Sequence, residues 1–152
     1  MAHRIMNRAR EVIQSGMMDT LPLAKKKYDA LMEPLCRRFE LTRNELDVLL
    51  FLANNPSFDR AADIVRIRQM TKSHVSLSIT NLEQRGLLTR AYDPDDRRTA
   101  HLQLTDAARE ITEAGACIQE QFFACVFADL SEEELILWRS ILERVCRNIS
   151  NL

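Results

Sequence analysis

The sequence contains only three glycines and four prolines among its 152 residues. These two residues interrupt helices and mark most turns, so their scarcity argues against a fold of many short strands and loops. With 46% hydrophobic and 28% charged residues, the composition also excludes a disordered or collagen-like chain. We therefore expect a globular and mostly helical fold, with the length of one ordinary domain.

Long apolar runs are missing as well. The longest one, residues 48–53, is far shorter than the roughly 20 residues that a membrane-spanning helix needs. Residues 1–10 carry basic side chains, but neither an apolar stretch nor a small-residue cleavage site follows them, which argues against a secretory signal. We therefore expect a cytoplasmic protein without a membrane partner.

The sequence lacks the usual motifs of metal sites and of catalysis. Its cysteines form no C-x-x-C pair and have no histidine nearby, which argues against a zinc site and a disulfide framework. No Gly-rich phosphate loop or H-E-x-x-H motif occurs, and the three histidines, His3, His74 and His101, are scattered. We therefore expect neither an enzyme nor a bound metal or cofactor.

Charge is distributed unevenly around a net value of −1. Residues 60–105 carry a net charge of +3, whereas residues 106–152 carry −5. A basic centre followed by an acidic segment is typical of a chain in which only the centre meets nucleic acid.

Two helix starts can be recognised from their capping boxes. Thr42 with Glu45, and Ser131 with Glu134, both have the S/T-x-x-E spacing, with leucines placed as hydrophobic staples on either side. Apolar residues at helical spacing further predict long helices over residues 23–39, 106–128 and 131–150. Pro22 is expected to begin the first of these, and Pro34 to bend it or to interrupt its bonding. Residues 1–16 are expected to form a further short helix.

The middle of the chain has the spacing of a helix-turn-helix. Short helices are predicted over residues 59–67 and 71–85, separated by residues 68–70. Gly86 is expected to end the second helix. Strand candidates at residues 87–91 and 99–105 then enclose a turn at residues 92–98, as in a two-stranded wing.

The second of these helices has two distinct faces at 100° per residue. Val75, Ile79 and Leu82 are predicted to pack inward. The opposite face carries small and hydrogen-bonding side chains suited to base edges in a major groove, namely Ser73, Leu77, Thr80 and Gln84, flanked by His74, Ser76 and Asn81. Thr71 as N-cap would direct free backbone amides and Lys72 toward a phosphate.

The turn between the strands carries two adjacent arginines, Arg97 and Arg98. Arginine on a wing is suited to a minor groove. Asp95 or Asp96 is placed to brace Arg98 and to fix its direction.

Several motifs, in this order, resemble those of MarR-family regulators: M-T-K-S-H-V-S at residues 70–76, L-E-Q-R-G-L-L-T-R at 82–90, D-P-D-D-R-R at 93–98 and L-Q-L-T at 102–105. The resemblance covers about residues 23–150. It implies a winged helix-turn-helix core at residues 41–105, flanked by dimerisation helices at 1–40 and 106–152 within a single domain of residues 1–152. It also implies a homodimer that binds a palindromic operator on double-stranded DNA.

By the same resemblance, four recognition-helix residues contact DNA: Lys72, Ser73, His74 and Ser76. Arg98 matches the family's minor-groove arginine, and Asp96 its brace. Leu77 departs from the family, where an arginine is frequent at this position, so the operator sequence is not transferable.

The resemblance further implies a repressor that a small aromatic effector releases from DNA, although the sequence identifies no effector residues. Two alternatives remain. A winged helix can serve as a protein-interaction module, which would need neither Lys72 nor the two wing arginines. Alternatively, Cys36, which lies beside Arg37 and Arg38, could act as a redox sensor if it is exposed.

Overall fold

A computed structural model of the protein describes residues 18–92 and 99–152. In chain order its elements are helices α1 (Met18–Arg38), α2 (Arg43–Asn54), α3 (Ala61–Arg68) and α4 (Lys72–Gln84), strands β1 (Leu88–Tyr92) and β2 (Ala100–Leu104), a 3₁₀ turn (Asp106–Ala108), and helices α5 (Arg109–Val126) and α6 (Glu132–Ser150). This order confirms the predicted mainly α fold with a two-stranded wing. Within the described ranges, no helix is long and apolar enough to cross a membrane.

Helix α1 differs from its prediction at its start, because it begins at Met18 and so includes Pro22 as well as Pro34. Pro34 lacks the amide hydrogen that would bond within the helix, yet the helix continues to Arg38. Burial of the side chains around that proline favours continuation, since packing supplies most helix stability; these are Met32, Leu35 and Cys36. The short helix predicted over residues 1–16 lies outside the described residues.

Both predicted capping boxes are present. Thr42 Oγ1 accepts a hydrogen bond of 3.2 Å from the amide of Glu45, and the amide of Thr42 donates one of 2.8 Å to Glu45 Oε2. Ser131 and Glu134 exchange equivalent bonds of 3.3 and 2.8 Å at the start of α6. The helix predicted over residues 106–128 begins instead with a 3₁₀ turn, and the α-helix starts at Arg109.

The core is built around α2. Seven of the twelve residues of this helix are buried, so it is apolar on nearly every side. The predicted inward face of α4 packs here, with Val75, Ile79 and Leu82 at most 2% exposed. This packing holds the helix-turn-helix and the base of the wing on one scaffold, since Leu88 and Leu102 belong to the same cluster.

The chain divides into two compact units, one ending at Ile118 and the other comprising Gln119–Leu152. The first unit holds the winged helix. The second contains α6, none of whose residues is buried within the chain. Large apolar side chains between 40% and 65% exposed lie along this helix: Ile136, Leu137, Trp138, Ile141, Leu142 and Ile149.

Candidate nucleic-acid interface

The turn of the helix-turn-helix has a defined backbone geometry. Gln69 takes a left-handed conformation, with φ at 54°, and caps the end of α3. Its side-chain amide donates a 2.7 Å hydrogen bond to the carbonyl of Arg66. Thr71 then caps α4 by accepting a 3.2 Å hydrogen bond from the amide of His74, as predicted. These contacts set the direction in which α4 leaves the turn.

The outer face of α4 brings five of the predicted site residues together on one exposed surface. They are Lys72, Ser73, His74, Ser76 and Leu77. Leu77, in the middle of the helix, is 61% exposed. The first turn of α4, described in full, has no acidic residue, so its exposed backbone amides and Lys72 present a positive end to an anion.

Thr80 differs from the other predicted residues because it is half-buried. Its hydroxyl donates a 3.0 Å hydrogen bond to the carbonyl of Ser76 and lies 3.4 Å from the guanidinium of Arg90 on β1. The structure therefore places Thr80 at the junction of helix and wing.

Asn81 was expected to flank the reading face, but the structure turns its side chain inward. Its amide donates a 2.9 Å hydrogen bond to Oε1 of Glu45, whose side chain is buried. The reason is tertiary, because the capping box of α2 satisfies only the other oxygen of that carboxylate. Asn81 is thus a positioning residue of α4.

Arg85, which sequence reasoning missed, holds the far end of α4. Its guanidinium donates hydrogen bonds of 2.6 and 2.9 Å to the carbonyls of Phe39 and Glu40. Glu40 has a φ of 51°, in the left-handed region, which turns the chain between α1 and α2. Only the fold reveals this tie, since Arg85 and Phe39 are 46 residues apart. Gly86, with φ at 70°, ends the helix as predicted.

The wing is anchored on two sides. Strands β1 and β2 pair antiparallel from Leu88 opposite Leu104 to Tyr92 opposite Ala100. On β2, Nδ1 of His101 lies 2.8 Å from Oδ2 of Asp59, and the amide of the next residue donates to the carbonyl of Asp59. On β1, the Arg90 guanidinium lies 3.5 Å from Glu83 of α4. These contacts hold the wing beside both helices of the helix-turn-helix.

The tip of the wing, with Asp96, Arg97 and Arg98, lies outside the described residues, and the roles predicted for these three remain predictions. Between its described base and the helices is a cavity of about 550 Å³. Lys72, Ser76, Arg90 and Tyr92 contribute its polar groups among an otherwise apolar lining. The outer surfaces of helix and strand are therefore separated by a groove.

Cys36 lies away from this surface and is 6% exposed. Burial raises the pKa of its thiol above the ordinary value, despite the opposing charge of Arg43. A raised pKa disfavours the reactive thiolate. Arg38, one of the two arginines beside it in the sequence, forms an ion pair with Glu110. Among the described residues there is also no group of three His, Cys, Asp or Glu side chains suited to a metal.

Comparison with known proteins agrees with this geometry. A sequence-family model, that of the MarR family, matches residues 39–99. The HTH-type transcriptional regulator YdgJ of Bacillus subtilis is 30% identical over 117 residues, which cover 77% of this chain and 70% of that protein.

Two solved structures are also similar. A MarR-family regulator from Listeria monocytogenes, complexed with 26mer DNA, has a TM-score of 0.79 at 17% identity over 90% of both chains. Bordetella bronchiseptica BpsR, whose DNA binding is regulated by 6-hydroxynicotinic acid, has a TM-score of 0.62 at 25% identity over 83% of this chain and 95% of its own. Given this sequence relationship and the shared winged-helix architecture, the chain belongs to the MarR family of transcriptional regulators.

Proposed function

We propose that this protein is a repressor that binds a palindromic operator as a homodimer and is released by a small aromatic effector. The observation that carries the proposal is the outer face of α4. It is exposed, and neither its first turn nor its centre carries an acidic side chain. A helix that merely faces solvent usually carries glutamate and lysine over its whole outer surface, whereas this one offers hydroxyls, an imidazole and one leucine.

The residues divide by the part of DNA they contact. Lys72, at the positive end of α4, binds a backbone phosphate and positions the helix. Ser73, His74, Ser76 and Leu77 face the base edges. Thr80 lies at the edge of this set, because it is half-buried and its hydroxyl donates a hydrogen bond to the helix backbone.

The wing arginines supply the second contact. Arg98 enters the minor groove with Asp96 as its brace, and Arg97 binds the adjacent backbone. Support comes from the base of the wing, because Arg90 and His101 attach it to the helix-turn-helix and so fix the place from which the tip extends.

The homodimer is supported by apolar side chains that the chain leaves uncovered. On α6 the large apolar residues stay exposed, and on α1 Leu21, Leu23 and Leu31 are between 48% and 61% exposed. Monomeric proteins seldom leave so much apolar surface to water. We assign residues 1–40 and 106–152 to dimerisation and 41–105 to DNA binding, within one functional domain. Two-fold symmetry of the protein then requires a palindromic operator.

Release by an effector is supported by the relative BpsR, whose DNA binding responds to 6-hydroxynicotinic acid, a small aromatic compound. We assign no effector residues. Four apolar side chains of α1 and α2 and of the turn between them belong to the core or pack against it, and so are not assigned to a pocket: Met32, Cys36, Phe39 and Phe51.

The test is selection of duplex DNA from a random pool by the full-length protein, followed by salt titrations on selected and random DNA. Ser76→Ala should narrow the affinity gap between the two DNAs, by roughly 1 to 3 kcal/mol per lost base contact. Lys72→Ala should weaken binding to both. The matched control, Ser57→Ala in the loop after α2, replaces an exposed serine outside both the outer face of α4 and the dimerisation segments, and should change neither affinity.

A protein-interaction module would give a different result. The pool would yield no enriched sequence, and Lys72→Ala would not alter what DNA binding remains. That outcome would overturn the proposed function.

A further inference from the structure

Leu77 is a prominent side chain on the outer face of α4, and two of its polar neighbours already have partners. Ser73, one turn before it, has its hydroxyl 3.1 Å from that of Thr71. Thr80, one turn after it, donates its hydroxyl hydrogen to the carbonyl of Ser76. At the centre of the face, an apolar side chain that is 61% exposed is therefore flanked by hydroxyls bonded within the protein.

The inward turn of Asn81 strengthens this point. An asparagine on the reading face would be the obvious side chain to recognise adenine by paired hydrogen bonds. Here its amide is bonded to the buried carboxylate of Glu45 instead. The middle of α4 thus offers its central base pair chiefly an apolar contact.

The major groove presents few groups that suit such a contact. Every base edge there carries donors or acceptors, and these lose hydrogen bonds to water if an apolar side chain covers them. The exception is the 5-methyl group of thymine, which is apolar and projects into the groove. A methylated cytosine presents the same methyl group at the same carbon.

We propose that Leu77 reads the 5-methyl group of a pyrimidine, so that the base pair facing it is chosen for the methyl group rather than for its hydrogen-bonding pattern. This inference rests on the proposed DNA-binding function. Thymine and 5-methylcytosine are then equivalent for this contact, whereas uracil and cytosine both lack the methyl group that Leu77 contacts. Methylation of a cytosine at this position would strengthen operator binding.

The experiment uses the full-length protein and a duplex that it has selected from a random pool. Each thymine is replaced in turn by uracil, which removes only the methyl group. We expect one thymine in each half-site at which uracil weakens binding by about fourfold, the effect of losing one buried methyl group. At that position, a 5-methylcytosine–guanine pair should bind more tightly than a cytosine–guanine pair by a similar factor.

Variants at the same residue connect the effect to Leu77. Leu77→Asn should bind thymine and uracil duplexes equally, whereas Leu77→Met, which keeps an apolar side chain of similar volume, should retain the difference. Both variants should stay folded because the side chain is mostly exposed, and thermal unfolding checks this.

The two failures are distinguishable. If replacing each thymine by uracil never changes the affinity, or if Leu77→Asn still binds thymine duplexes more tightly than uracil duplexes, the methyl-reading role is wrong, although operator binding stands. Failure to select any sequence would instead remove the proposed function, and this inference with it.

Discussion

The side-chain amide of Asn81 donates a 2.9 Å hydrogen bond to Oε1 of Glu45, and so joins the recognition helix α4 to the capping box that begins α2. The other carboxylate oxygen accepts the amide of Thr42 at 2.8 Å. Both oxygens of a side chain that is only 4% exposed are therefore satisfied, one locally and one across the fold. This bond holds the middle of α4 to the scaffold while its outer face stays exposed.

Loss of that bond should destabilise the protein. Asn81→Ala leaves Oε1 of the buried Glu45 carboxylate without its donor, which we expect to lower the free energy of unfolding by roughly 1 to 3 kcal/mol. Urea denaturation measures the change. Gln84→Ala, which removes an exposed amide side chain from the same helix, is the matched control; equal effects of the two substitutions would contradict the role of Asn81.

The same network makes a pH dependence testable. Burial raises the pKa of the Glu45 carboxyl, but hydrogen bonds from Thr42 and Asn81, with the charge of Arg85, more than reverse this and lower it overall. A carboxyl whose pKa is lower in the folded state stabilises the protein at any pH above its pKa in the unfolded chain, which is about 4.3. This contribution is lost as the pH falls through the pKa of the folded state.

We therefore expect the unfolding free energy of the native protein to fall more steeply below about pH 4.3 than that of Glu45→Gln, which has no proton to gain at this side chain. Urea titrations at several values between neutral and acidic pH measure both slopes. Parallel slopes would show that Glu45 does not contribute.

The wing should add affinity more than sequence preference. Arg98→Ala removes one cation that displaces counterions from DNA, so binding to operator and random DNA should weaken alike. The slope of log affinity against log salt should fall by about one per subunit. Filter binding at several salt concentrations gives both quantities. An unchanged slope in a folded variant would mean that the wing does not touch DNA.

The apolar surface of α6 should control the oligomeric state. Sedimentation at micromolar concentration should give about twice the chain mass of 17.6 kDa. Trp138→Glu places a charge among the exposed apolar side chains of α6 and should produce monomers. Arg147→Glu, on the opposite side of the helix and surrounded by polar residues, should not. A native protein that sediments as a monomer would also remove the argument for a palindromic operator.

Oxidation of Cys36 should not control DNA binding. Its burial and raised pKa both disfavour the thiolate that peroxide attacks. We expect Cys36→Ala and the native protein to show the same operator affinity before and after peroxide treatment. A loss of affinity in the native protein alone, reversed by a reducing agent, would restore the redox-sensor alternative.

The local features of this fold were predictable because their chemistry lies within a few residues. Thr42 and Glu45 are three residues apart, close enough for the spacing itself to specify the reciprocal bonds of a helix start. Gly86 marks the end of α4 because its φ of 70° is one that glycine takes without strain. Helical periodicity likewise placed Val75 inside and Leu77 outside.

Contacts between distant segments were decided only by the tertiary structure. Helical periodicity predicted that Asn81 flanks the outer face of α4. Periodicity gives only the angle of a residue on its own helix, and it does not show which group of another helix lies beside that residue. Glu45 lies 36 residues earlier, and its Oε1 accepts a hydrogen bond from the side-chain amide of Asn81, which therefore points inward. Packing similarly explains why α1 continues past Pro34, since burial of neighbouring side chains offsets the one hydrogen bond that proline cannot make. The sequence by itself thus determined where the capped helices α2, α4 and α6 begin and which face of α4 points outward. The tertiary structure decided which polar groups beside that face are bonded within the protein, because their partners come from distant segments of the chain.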